Sequence, residues 1–406
     1  MLNLINPKTN EYDFLNNFDI NTQFAKLKEI YGISDVSNER KEYLSKTIQK
    51  YGYLPYPHYK TLDELTTGEI IFAFCEKLKL EGTYDGEKFV NFSNPSPLAR
   101  RKVKHSNWFK KEGHNIKLLS LAGLGKDPNS VGKFIDWLAA VVSLDWGNKD
   151  LNIMPTTLYL IPFHPREFGC AYLPQSSDVS QKLCDEKVAK FLGLGAKEQV
   201  KFFITLAQLA GHPVIYDILP QTGRFSKIVL THPYVARWMD IKELDSQINN
   251  FKKALKANNS KTQEEDLKEF KILISYKMSF KEKQEELAKR AEEIIERVNG
   301  KKPKCEEDIT KQTEIIQALI NEGLWTMPGG AWCSAGVPVY DKMHKSGQYP
   351  IYKHYNFKGE DVTHFANLDC QTPYYFVYFE KSKYNNKVKE FFIDYMNNLQ
   401  KEYNFD

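Results

Sequence analysis

The sequence contains no apolar run of the roughly 18 residues that a membrane-spanning helix needs, which argues against a helical transmembrane span. Its first residues, Met1-Leu2-Asn3-Leu4-Ile5-Asn6-Pro7-Lys8, lack the basic-then-apolar layout of a secretory signal. Cysteine is sparse, with six in 406 residues. None are spaced C-x-x-C, so neither a disulfide scaffold nor a zinc site is expected, and reduced thiols in a cytoplasmic protein are. Excess charge of one sign is also missing: 56 Lys and Arg face 52 Asp and Glu, leaving +4. That balance argues against a general nucleic-acid binder. No G-x-G-x-x-G follows a strand, and Gly123-Leu124-Gly125-Lys126-Asp127 lacks the spacing and the hydroxyl residue of a phosphate-binding loop.

What is present is globular. Hydrophobic residues make up 42% and charged residues 27%, too apolar for a wholly disordered chain. At about 100–200 residues per domain the length suits two or three domains, or one large barrel with insertions. The aromatic content of 13% suits sugar stacking and an ordinary core equally well.

Residues 1–110 give few firm signals. Thr66 to Phe74 fits a strand or a short helix, and Phe89 to Phe92 alternates as a strand does after the turn Tyr84-Asp85-Gly86-Glu87. Arg100 to His105 is a basic run that reads as a solvated connector. From residue 115 a rhythm appears. Ile116 to Leu121 is an aliphatic strand. Asp127-Pro128-Asn129-Ser130 then opens a helix whose apolar face is Val131, Phe134, Ile135, Leu138, Val141 and Val142. Thr157 to Phe163 is nearly continuous apolar sequence, as in a strand buried on both faces. Val200, Phe203, Ile204 and Ala207 mark a second helix, with Gly211 past its end, and Val214 to Leu219 is a third strand. Strand, helix, strand, helix, strand predicts a parallel sheet with helical crossovers. Both a doubly wound sheet and an eight-stranded barrel accommodate it.

The rhythm then stops. Residues 240–300 are charged and helical, with a stripe of Leu287, Ala291, Ile294, Ile295 and Val298 ended by Asn299-Gly300. This predicts an amphipathic helical hairpin packed on the body, or else a partner-binding coiled coil. Residues 323–380 are irregular and rich in Tyr. Val388 to Leu399 repeats as a helix face and leads into Tyr403-Asn404-Phe405-Asp406, which has the look of an entry to a further strand.

In parallel α/β folds the chemistry sits at the carboxyl ends of strands. Two segments qualify: Pro162 to Tyr172, which holds His164, and Asp217 to Arg224. Asp217 stands out, because a carboxylate in a strand of Val, Ile and Leu is expected to be paired or hydrogen-bonded. It suits either a sugar-binding site or a structural ion pair at the rim. Tyr172 suits stacking on a sugar ring or filling a loop.

These residues in this order resemble the alpha-amylase superfamily of glycoside hydrolases. The matching features are the apolar strand Leu158 to Pro162, the loop Gly169 to Tyr172 with Asp178 after it, and Gly211 through Asp217 to Thr222. A long insertion follows the third strand, as in that family. The run into Asp406 is similar to the approach to the family's Asp-Gly-Phe-Arg-x-Asp strand. The resemblance covers roughly residues 115–220 and 320–406.

The resemblance implies an incomplete (β/α)8 TIM barrel, in which three strands and helices are followed by a B-domain-like insertion. Its divisions would be an N-terminal extension over 1–110, barrel over 111–230, insertion over 231–384, and return to the barrel over 385–406. It also implies retaining glycosyl transfer on an alpha-glucan or oligosaccharide. The nucleophile and the acid/base both match positions past Asp406, so no turnover is expected from these 406 residues. Tyr172, Asp217, Thr222, Arg224 and His164 are the implied substrate-binding residues. Trp325, Trp332, His364 and Asp369 are looser candidates. Gln221 stands where the family has an Asn that helps bind calcium, and Thr222 where it has a sugar-contacting His, which weakens the expectation of calcium. A non-catalytic carbohydrate binder and an interaction protein working through residues 240–300 are the rival readings. The sequence fixes no oligomeric state.

Overall fold

The computed structural model describes residues 13–90, 94–102, 116–143, 157–166, 171–218, 221–259, 261–326, 336–347, 349–356, 358–361 and 386–406. The chain divides into two units. The first comprises Met1–Pro165, Asp178–Ile218 and Asp394–Asp406, and the second Arg166–Ser177 and Leu219–Ile393. Trp332, His364 and Asp369, with Cys170, Cys333 and Cys370, lie outside the described residues.

The first unit begins with helices whose ends are written in the sequence. In α1 (Ile20–Ile30) the Asp19 carboxylate accepts the Thr22 amide. In α2 (Asn38–Tyr51) the Ser37 hydroxyl accepts the Arg40 amide, and Gly52 ends the helix at φ 75°. In α3 (Thr67–Glu81) Thr66 and Glu69 form a reciprocal capping box, which settles the ambiguous 66–74 stretch as helix. Arg100 and Arg101 of the basic run pair with Glu81 at 3.1 Å each, so they are not a solvated connector.

The alternation then follows as β1 (Ile116–Leu119), α4 (Phe134–Val142), β2 (Thr157–Leu160), α5 (Ala196–Leu209) and β3 (Val214–Tyr216). The three strands are parallel and lie in the order β1-β2-β3. The unit is therefore mixed α/β with a parallel sheet. One core joins Phe24, Leu44 and Phe74 of the early helices to Trp137, Leu160, Phe203 and Val214. The break expected near residue 110 is thus not a unit boundary: the N-terminal helices bury their apolar faces in the core that the sheet uses.

The two faces of the sheet differ. On β1, Lys117 and Leu119 are buried, and the Lys117 ammonium donates to the Ala140 carbonyl of α4 at 2.9 Å. Ile116 and Leu118 point the other way and are 44% and 64% exposed. Leu118 pairs with Tyr159, which pairs with Ile215, both of them half-buried. At the end of the chain Asn404 adopts φ 55°, and the Asp406 amide donates to the Val214 carbonyl at 2.7 Å. The Asp406 carboxylate accepts from Ser96 Oγ, Gln208 Nε2 and the Val214 amide.

The second unit contains β4 (Trp238–Asp240), α6 (Ile241–Ala257), α7 (Gln263–Met278), α8 (Lys281–Asn299), α9 (Gln312–Asn321), β5 (Leu324–Thr326), β6 (Gly336–Met343) and β7 (Pro350–Asn356). Strand β4 pairs antiparallel with β5, and β6 with β7. Residues 240–300 form three helices where a hairpin was expected. Their extra break falls at Ser279–Phe280, which the charge pattern does not mark. Phe251 stacks on Phe270 at 4.0 Å, joining α6 to α7. The Gln284 amide accepts from the Trp238 N–H and donates to the Trp238 and Met278 carbonyls, each at 2.7 Å, which pins α8 to β4.

Candidate functional site

The five sequence-predicted residues are divided between the units. His164 and Asp217 belong to the first, at the carboxyl ends of β2 and β3. Tyr172, Thr222 and Arg224 belong to the second.

His164 is 2% exposed, with Nδ1 at 2.9 Å from the Asp178 carbonyl and Nε2 at 2.6 Å from the Tyr216 hydroxyl. A carbonyl only accepts, so Nδ1 carries a proton and donates to it, while Nε2 pairs with the Tyr216 hydroxyl. Burial pushes the Tyr216 phenol well above its ordinary value, with nearby Tyr395, Tyr403 and Asp217 adding to the effect, so it keeps its proton. Both nitrogens of His164 are thereby committed, and its role is to fix the strand ends. Phe405 stacks on the Tyr216 ring at 5.0 Å, closing that side.

Asp217 behaves otherwise. Its amide donates to the Leu160 carbonyl at 2.8 Å, continuing the parallel ladder beyond β3. Its carboxylate is half-buried and has no hydrogen-bond or ion-pair partner among the described residues. The expectation of a paired carboxylate therefore does not hold. By strand alternation Asp217 lies on the face of Ile215, and at half-burial water reaches its carboxylate, so no internal partner is required.

In the second unit, Thr222 is 1% exposed. Its hydroxyl donates to the Pro174 carbonyl at 2.8 Å and lies 2.7 Å from Ser226 Oγ. It holds a turn and is not presented to a ligand. The Gln221 amide donates to the Tyr172 carbonyl at 2.9 Å, joining the segment of Tyr172 to the same turn. Among the described residues no group of three His, Cys, Asp or Glu side chains is placed to hold a metal ion.

The structure does bring Arg224 and Trp325 together. Both line a cavity of about 230 Å³ with Phe225, Gln175 and Gln312, and Ile316 and Ile320 form its aliphatic side. The Phe225 and Trp325 rings lie 5.8 Å apart, tilted by 59°. Gln312 Nε2 donates to the Phe225 carbonyl at 3.2 Å. The two glutamines and the two isoleucines escaped sequence reasoning. Ile316 and Ile320 are spaced like any helix face, and a neutral amide gives no charge pattern to notice.

No family model matches this chain, and a search of curated proteins finds no match.

Proposed function

We propose that the parallel sheet of this chain belongs to an alpha-amylase-like (β/α)8 barrel, and that the chain binds alpha-glucosidic carbohydrates. The observation that carries the reading is the sheet of the first unit. Three parallel strands follow one another in chain order, with α4 on one face and, on the other, Ile116 and Leu118 exposed and Ile215 half-buried. Aliphatic side chains such as Leu118 and Ile215 on the face away from the helices are what fills the inside of a barrel. The uncommitted carboxylate of Asp217 follows at the carboxyl end of β3, where barrel enzymes keep their binding groups. The sequence order of the Pro162, Gly169–Tyr172 and Asp217 segments supports the same reading. A cytoplasmic location goes with free thiols at Cys75, Cys184 and Cys305.

Titration of the chain with maltoheptaose in a calorimeter tests this. Binding is expected. Asp217→Asn should weaken it by roughly 10-fold or more, since a hydrogen bond to a charged group contributes about 1.5–3 kcal/mol. Failure of the chain to bind any alpha-glucan would sink the reading.

A further inference from the structure

We propose that the cavity of the second unit, between the turn at Arg224–Ser226 and α9, binds one pyranose ring of a neutral carbohydrate. The choice of carbohydrate rests on the function proposed above, but the observations belong to the cavity alone.

Its size comes first. Sites for drug-sized ligands run from about 300 to 1,000 Å³. At about 230 Å³ this cavity is smaller and suits one ring, not an extended chain.

Its chemistry is mixed. Ile316 and Ile320 stand one turn apart on α9. Phe225 is half-buried beside them, with the 3%-exposed Trp325 behind. Together they form an apolar corner for the C–H face of a sugar ring. The lining also carries groups that can both give and receive. The Gln175 side chain is exposed and has no hydrogen-bond partner among the described residues. Gln312 is oriented by its bond to the Phe225 carbonyl, which leaves Oε1 to accept. A carboxamide presents a donor and an acceptor, the complement of a hydroxyl that is itself both.

The lining also excludes other ligands. Among the described residues no carboxylate lines the cavity, so the lining offers a metal cation no anionic ligand. A single guanidinium among amides and aliphatic groups is a poor match for a phosphate, which tight sites meet with several cations or aligned N–H groups.

Calorimetric titration of the whole chain with glucose, maltose, cellobiose and inorganic phosphate tests the proposal. Gln312→Ala removes one neutral hydrogen bond, about 1 kcal/mol, and should weaken sugar binding roughly 5-fold. Ile316→Trp fills the cavity from a half-exposed position and should abolish binding there. If Ile316→Trp misfolds by circular dichroism, Gln312→Ala carries the test alone. Loss of maltose or glucose binding in these variants supports both the cavity and the alpha-glucan reading. Variant-sensitive binding of cellobiose without maltose supports the cavity and overturns the alpha-glucan reading. Glucan binding that neither variant changes overturns the cavity and spares the reading. Phosphate binding without sugar, or no sugar bound at all, overturns the cavity proposal.

Discussion

Lys77 lies on α3 within the core of the first unit and is 6% exposed. Its ammonium donates to the Gly52 carbonyl at 3.0 Å and sits 3.8 Å over the Tyr53 ring. Burial lowers its pKa from 10.5 to about 7; Glu81 opposes this and Lys117 adds to it. A buried base with a depressed pKa binds fewer protons folded than unfolded between these two values, so stability rises with pH across that window. At about 1.4 kcal/mol per unit, the full penalty below pH 7 is about 5 kcal/mol. Between pH 7 and pH 9.5 wild type should recover about 3 kcal/mol of it. The Gly52 carbonyl and the Tyr53 ring attract the ammonium, so this is an upper figure. Lys77→Met keeps a flexible stem of similar length and removes the charge. It should be more stable than wild type at pH 7, and that advantage should shrink by about 1–3 kcal/mol at pH 9.5. Urea unfolding followed by far-ultraviolet circular dichroism at both pH values measures it. Taking variant minus wild type at each pH cancels the other titrating groups. A difference that stays constant with pH would refute the reasoning, because it would mean that Lys77 titrates alike in the folded and unfolded chains.

Two further perturbations have a definite sign. Gly68→Ala normally helps a helix by about 1 kcal/mol, but here a Cβ would lie 2.3 Å from the Gly32 carbonyl oxygen. Because the obstacle is backbone, the change should cost about 1–3 kcal/mol in urea unfolding, and a stabilised variant would contradict the close approach. His232 in the second unit has its pKa lowered from 6.5 by burial. The fold rejects a proton that the unfolded chain accepts, so this group costs stability as pH falls below 6.5. His232→Gln should therefore compare more favourably with wild type at pH 5 than at pH 7, and an unchanged difference in urea midpoint would rule this out.

Much of the first unit was legible because its signals are local. Apolar spacing marks α4 and α5, β-branched and aliphatic runs mark β1 to β3, and the parallel order follows from their alternation. The strands themselves are shorter than their apolar runs. The run Thr157 to Phe163 yields a strand only to Leu160, since Pro162 cannot donate to a ladder. The early helices were harder to place. Their caps, such as Thr66 with Glu69, name helix starts but not the core they join, and Phe24 meeting Phe74 at 6.4 Å is a tertiary fact. In the second unit the charge-rich surface of residues 240–300 hid the breaks between α6, α7 and α8.

The site residues show why conspicuous side chains mislead. A histidine or threonine near a strand end attracts notice as a candidate ligand group, yet the same polarity makes it useful for satisfying buried carbonyls. His164 is used by Asp178 and Tyr216, and Thr222 by Pro174. Once buried and bonded, neither has hydrogen-bonding capacity to offer a ligand. Asp217 escapes this because strand alternation puts it on the half-exposed face of the sheet, and a half-exposed carboxylate needs no internal partner. Gln175 and Gln312 escape it too, at the rim of a cavity whose apolar walls supply the burial. The groups with unspent hydrogen-bonding capacity are therefore set by which faces the packing leaves open. Chain position alone, which single sequences report well, does not decide that.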